Sequence, residues 1–337
     1  MRGWARAALL IALASTAAWS QQRQSPQPPL EGPTITVAGF TPGRPLKIVA
    51  YGDTRFTNAQ NDRDTSPKVR QYLVKQIAKE KPDAVLMTGD LPFHGADAAD
   101  WQIYRGETAA WTAEHLRVYP TLGNHDVLGG WEAGVQNFDA TFPELKGYLY
   151  YSVQISNVYV ITLDCTESYG DASPQREWLS AQLDHLPESV EFVFFVSHMP
   201  LYADMQSQIV ASVPSPSELS LRKFILSKAP AIHAKLIVVN GHLHNYERFE
   251  NNGLSYLVSG GGGAIPYRVL VRGPEDLYTA KTFPNYHYLV FMIHGKTADV
   301  TMYRVTNPTH PSKLGLEVMD KFTLVASGLA TQGIPAQ

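Results

Sequence analysis

The chain has 337 residues, 44% hydrophobic and 18% charged, with a formal net charge of −3. That balance excludes a disordered or collagen-like chain and leaves ample apolar material for a packed core. Slight acidity gives no electrostatic reason to expect nucleic acid as a partner, so the expected partner is a small molecule.

Arg2 and Arg6 precede an apolar run from Ala7 to about Trp19, with Ala18 and Ser20 set around a cleavage point before Gln21. Residues 1–20 therefore read as an export signal, and the run falls short of the ~20 residues that span a bilayer. Periplasmic or extracellular localisation without stable membrane association follows, and losing Arg2 and Arg6 takes the formal charge from −3 to −5. Cys165 is the only cysteine. An exported chain with one thiol has no internal disulfide, and Cys165, after the run Val158 to Leu163, reads as a small buried side chain. Residues 21–45, rich in Gln, Pro and Gly, suit an extended and loosely held leader.

The folded part is expected from Leu46 to residue 325, with a short tail over 326–337. Leu46 to Tyr51 is a short apolar run ending in Gly52-Asp53, as a buried strand with a polar tip would. An apolar helical face (Val69, Tyr72, Leu73, Ile77) follows, then a second run, Ala84 to Met87, ending in Gly89-Asp90. A third, Val118 to Leu122, ends in Gly123-Asn124-His125-Asp126. Further strands are predicted at 148–155, 158–163, 191–197, 235–240, 254–259, 287–293 and 298–304, the last two joined at Gly295-Lys296 by a hairpin turn. Helices are predicted around 99–113, 174–185 and 217–227. Strands alternating with helices give an α/β fold, and without an internal repeat or linker after Leu46 one domain is preferred. Open α/β sheets place their sites at the carboxyl ends of strands, so these polar tips are expected to meet in one crevice.

In chain order the tips are Asp53, Asp90, Asn124, His125, His198, His242 and His244, all oxygen or nitrogen donors. Carboxylates supply the charge a divalent or trivalent ion needs, and imidazoles are donors suited to iron, zinc or manganese. Asp164, His115, His185, His233, His287 and His310 stand outside the pattern and read as ordinary turn, surface or core residues. The glycine run 260–263 lacks a following Lys-Ser or Lys-Thr, so it reads as a tight loop rather than a nucleotide-binding one.

Gly-Asp, Gly-Asp, Gly-Asn-His-Asp, Ser-His-Met-Pro (197–200) and Gly-His-Leu-His (241–244), in that order, resemble the calcineurin-like metallophosphoesterase superfamily. The run His242-Leu243-His244-Asn245-Tyr246-Glu247-Arg248 and the glycines that follow are most similar to its purple acid phosphatase branch. The resemblance covers about Leu46 to Arg304. It implies an α/β two-sheet sandwich flanked by helices, forming a single catalytic domain with two metal ions along one edge. It further implies hydrolysis of small phosphate mono- or diesters by metal-activated water. Asp53, Asp90 and His244 would hold the first ion, and Asp90, Asn124, His198 and His242 the second. His125 matches the histidine that steadies the phosphate or protonates the leaving group, and Asp126 is placed to orient its ring. Ala203 to Ser217 and Gly260 to Asp276 are the loops expected to set specificity.

The first motif departs from the family. Most members have Asp-x-His there, whereas Asp53 is followed by Thr54 and Arg55, and the tyrosine that purple acid phosphatases use three residues after the bridging aspartate is Phe93. His94 is the nearest replacement donor, and without a phenolate ligand no purple ferric chromophore is expected. Arg55 suggests a phosphate contact, its planar fork matching two oxygens, set against an ordinary ion pair with Asp62 or Asp64. The alternative to an enzyme is a catalytically silent metal- or ligand-binding relative.

Overall fold

The computed structural model describes residues 26–40, 43–204, 214–269, 271–280, 282–283 and 285–326. The export signal with Arg2 and Arg6, most of the C-terminal tail and residues 205–213 of one specificity loop lie outside the described residues.

In chain order the elements are β1 (Ile35–Val37), β2 (Leu46–Tyr51), α1 (Pro67–Glu80), β3 (Ala84–Met87), α2 (Ala98–Glu107), α3 (Ala109–Ala113), β4 (Val118–Pro120) and α4 (Trp131–Thr141). They continue as β5 (Tyr151–Ile155), β6 (Val158–Thr162), α5 (Pro174–Asp184), β7 (Phe192–Ser197), α6 (Pro216–Lys228), β8 (Lys235–Asn240), β9 (Tyr246–Asn251), β10 (Leu254–Ser259), β11 (His287–His294), β12 (Thr297–Thr306) and β13 (Gly315–Val325). The strands form two sheets, one ordered β13-β12-β11-β2-β3-β4 and the other β1-β5-β6-β7-β8-β10-β9.

Alternation along β7 shows how the sheets layer. Phe192, Phe194 and Val196 point into the core shared by the two sheets, whereas Val193 and Phe195 face a second core beneath α5 and α6. Successive strand residues point to opposite faces, and a strand covered on both sides must be apolar throughout. Phe194 meets Phe291 of the facing sheet edge-to-face at 5.1 Å. The outer helices start from sequence-encoded caps: Ser173 on α5, and a reciprocal Ser215 and Glu218 capping box on α6. Strands β2, β3 and β4 run parallel, as do β6, β7, β8 and β10, so their carboxyl ends lie along one edge of the sandwich.

Several features differ from the sequence-based expectation, and β9, paired antiparallel with β10, is a strand with no predicted counterpart. Ile35–Val37, inside the supposed loose leader, pairs parallel with β5 and completes that sheet's edge. The single helix over 99–113 is two, broken at Thr108, whose hydroxyl donates to Tyr104 O at 2.7 Å as such side chains do when they compete with the helix ladder. Helix α4 has no predicted counterpart, because Gly134 inside it weakens its propensity and Gly129-Gly130 just before it read as a turn. β13, a half-exposed edge strand, carries little of the apolar signal that marks a buried one.

β9 delivers Glu247 into the interior beside two further acids. Glu247 Oε2 accepts the Asp204 N–H at 2.7 Å, Asp204 shares a side-chain hydrogen bond with Asp276, and Asp276 pairs with Arg272. Burial, reinforced by Asp204 and Asp276 against the pull of Arg272, pushes the Glu247 carboxyl up to about 8 from 4.5. A raised folded-state value means the native protein holds a proton that the unfolded chain has released, so stability falls as pH rises through that window. Glu247→Gln should remove this slope: urea unfolding should show the variant gaining on the parent between pH 5 and pH 8. An unchanged difference at the two pH values would refute the assignment.

Candidate metal centre

Each polar tip extends a strand that ends at the same edge. Asp53 follows β2, Asp90 follows β3, Asn124 follows β4, His198 follows β7, and His242 and His244 follow β8. Asp53 (φ 54°), Asp90 (φ 54°) and His242 (φ 68°) all sit in the left-handed backbone region. Non-glycine residues there cost about 1–3 kcal/mol each and persist only where the surroundings enforce them. Here Asp53 N–H donates to Gly89 O at 3.0 Å, and Asp90 N–H donates to Asp126 Oδ2 at 2.8 Å. Two glycines allow the close approach: a Cβ at Gly123 would lie 2.4 Å from Asp90 Oδ1, and one at Gly241 would lie 2.4 Å from Asp53 Oδ2.

The side chains converge. Asp90 Oδ1 accepts the His125 N–H at 2.9 Å and lies 3.3 Å from His198 Nε2. That nitrogen is also 3.2 Å from Asn124 Oδ1 and 3.3 Å from His242 Nδ1. Both Asp53 oxygens accept the His242 N–H, and Oδ1 lies 3.5 Å from His244 Nε2. Asp53, Asp90 and His198 offer ligand atoms within 4.8 Å of one another.

Tautomers follow from the neighbours. His198 Nδ1 lies 2.8 Å from Thr88 O and His244 Nδ1 2.8 Å from Ile265 O. A carbonyl only accepts, so each Nδ1 carries a hydrogen and each Nε2 is turned inward. Among the described residues, His244 Nε2 is buried without a hydrogen-bond partner. Burial first, then the charge of Arg55, pushes the His244 ring down to about 3; burial and His198 do the same to His242. Both rings are therefore neutral ligands in waiting. Burial drives Asp53 up to about 7, whereas at Asp90 the same burial is outweighed by His198, His125 and Arg55, which hold its carboxyl low. Buried carboxylates facing inward-turned imidazole nitrogens, with the outer nitrogens fixed by carbonyls, are the donor set and surroundings that a metal ion requires.

Residues 46–246 match the family model described as calcineurin-like phosphoesterase. The chain belongs to that family. Purple acid phosphatase 1 of Ipomoea batatas is 23% identical over 226 residues, 62% of this chain and 45% of the relative. Fe(3+)-Zn(2+) purple acid phosphatase 12 of Arabidopsis thaliana is 23% identical over 249 residues, 69% of this chain and 47% of the relative. The chain thus spans about half the length of these relatives. A purple acid phosphatase from yellow lupin (Lupinus luteus) superposes with a TM-score of 0.67 at 16% identity, covering 89% of this chain and 59% of that one. At that identity the likeness is one of fold: two mixed sheets flanked by helices.

Not every expected site residue takes its expected place. Asp126 does not orient the His125 ring: its carboxylate accepts the N–H groups of Asp90, Leu91 and Gly123, and His125 Nδ1 is held instead by Phe93 O at 2.7 Å. His94 is exposed, its ring edge-on to Phe93 and its N–H donating to Asp100 Oδ2. Arg55 turns into the site rather than toward Asp62 or Asp64, with Nη2 at 3.3 Å from Asp90 Oδ2 and its guanidinium over Phe93. Sequence reasoning missed Tyr267, which stacks on His244 with ring centroids 4.3 Å apart and whose hydroxyl meets the Arg55 side chain. It lies in a loop without periodicity, so only its position four residues after Gly263, the last glycine of the run at 260, offered any signal.

Because Asp126 anchors three backbone donors of the ligand loops, Asp126→Asn turns one of its acceptor oxygens into a donor facing another donor. Loss of about 1–3 kcal/mol in chemical denaturation, the cost of an unmet buried group, is expected. An unchanged midpoint would show that the loops do not depend on it.

Proposed function

We propose that the chain is an exported, metal-dependent phosphoesterase that hydrolyses small phosphate mono- or diesters. The observation that carries the reading is that His198 and His244 turn Nε2 toward the buried carboxylates, 3.3 Å from Asp90 Oδ1 and 3.5 Å from Asp53 Oδ1. Asp53, Asp90 and His244 would hold one ion, and Asp90, Asn124, His198 and His242 a second, of iron, zinc or manganese type; the Arabidopsis relative is named for ferric iron and zinc. Ions in such a pair lower the pKa of bound water and neutralise charge growing on phosphoryl oxygens. Export is supported by the basic and apolar pattern of residues 1–20, and among the described residues no helix is long and apolar enough to cross a membrane.

The chain's own groups supply the rest. His125 gives its Nδ1 hydrogen to Phe93 O, which leaves Nε2 as the atom that holds or passes a proton at the leaving oxygen. Asp126 fixes the backbone under Asp90 and His125 and so positions both. The Arg55 side chain is 14% exposed, so its guanidinium has N–H groups that an ester's phosphoryl oxygen can accept from.

Exhaustive chelation should abolish phosphate release from an aryl phosphate, and divalent ions should restore it. Full turnover by protein shown metal-free by elemental analysis would overturn the proposal. His125→Ala should keep its metal content and lose about 10²–10⁴-fold in turnover, roughly 3–5 kcal/mol of barrier. A drop of less than about tenfold would remove His125 from the chemistry.

A further inference from the structure

The two ends of the cluster are unequally furnished. Around His198 Nε2 stand Asp90 Oδ1 at 3.3 Å, Asn124 Oδ1 at 3.2 Å and His242 Nδ1 at 3.3 Å. At the other end Asp53 Oδ1 faces His244 Nε2 at 3.5 Å, and the outer oxygen of Asp90, Oδ2, faces the Arg55 guanidinium at 3.3 Å. An arginine side chain carries its charge at every accessible pH and has no lone pair to give an ion.

We infer that Arg55 competes with a metal ion for Asp90 Oδ2, so that the cation position at Asp53, Asp90 and His244 is the weaker of two and is strengthened when a phosphate oxyanion engages Arg55. The inference rests on the metal-centre reading above and adds an asymmetry to it. Arg55 is delivered rigidly. Its left-handed backbone (φ 47°) is fixed by its N–H donating to Asp90 O at 3.0 Å and by its carbonyl accepting from Arg70 Nη1 at 3.0 Å. The Arg55 side chain is 14% exposed, so solvent screens its repulsion of a nearby cation only in part. An oxyanion bound to the exposed part of the guanidinium offsets that charge and competes with Asp90 for its N–H groups. Coupling between two ligands is reciprocal, so an anion that favours the second ion is itself favoured by it.

The test is Mn²⁺ binding by the metal-stripped full chain, followed by equilibrium dialysis and elemental analysis, with and without inorganic phosphate. The parent should show two dissociation constants at least about tenfold apart, and phosphate should tighten the weaker one. Arg55→Ala should tighten the weaker constant by about tenfold, leave the tighter one in place and abolish the phosphate effect. Arg55→Lys, which keeps a cation, should preserve the gap. Alanine carries the same Cβ as arginine, so the left-handed backbone is no more strained, and the surviving tight site reports that the variant is folded. If Arg55→Ala loses the tight site too, Arg55→Gln, which keeps length without charge, decides in its place. Equal constants in the parent, or a weaker constant unmoved by removing the charge, overturn the inference while the metal centre stands. Failure to bind any ion removes the metal centre and the inference with it.

Discussion

The burial of two carboxylates side by side is the constraint around which the molecule is arranged. Asp53 and Asp90 have no exposed surface, and like charges taken out of water at close range are tolerated only when opposite charge and hydrogen-bond donors replace the water. The donors are backbone N–H groups: His242 gives to Asp53 and His125 gives to Asp90. Backbone donors can be aimed this way only where chain turns sharply, which is why the aspartates sit in left-handed conformations directly after strands. Cations complete the compensation, Arg55 within the chain and the metal ions that the donor set fits.

Parallel strands in both sheets make that arrangement possible. Carboxyl ends of β2, β3 and β4 in one sheet meet those of β7 and β8 in the other at one edge, so residues far apart in sequence arrive from both sides. Packing between the sheets fixes their separation, and with it the reach of Asp53 to the His242 N–H and of His198 to Asp90.

Much of this was legible in the sequence because the same physics writes both signals. A strand buried on two faces must be an apolar run, and a polar residue can appear only at its tip, so Gly52-Asp53, Gly89-Asp90 and Ser197-His198 announce strand and site together. Where burial is partial the signal fades: β1 and β13 are edge strands, and Tyr267 lies in an aperiodic loop. Side-chain direction was a separate matter. Asp126 neighbours His125 in sequence, yet its carboxylate turns inward to the backbone of the Asp90 loop, because three converging N–H groups need an acceptor more than one imidazole does. His94 neighbours Phe93 and is exposed, its ring edge-on to that phenyl ring.

Arg55 is the point where fold and site depend on each other most directly. The loop that bears it is held from behind by Arg70, a fully buried guanidinium on α1 that donates to Arg55 O and Thr57 O and pairs with Glu107 of α2 at 2.8 Å. A buried charge of this kind is stable only while its acceptors stay in place, so Arg70, Glu107 and the two carbonyls lock one another. The glycine run closes in as well, Gly262 N–H donating to Gly52 O and Ala264 N–H to Asp53 O. Two helices and a loop therefore clamp the segment 52–57, and the guanidinium of Arg55 has no room to leave Asp90 by moving its backbone. Any exchange of partners at Asp90 Oδ2 must then occur by side-chain rotation alone, a small motion by which the guanidinium can turn from the carboxylate to an arriving anion without disturbing the core behind it.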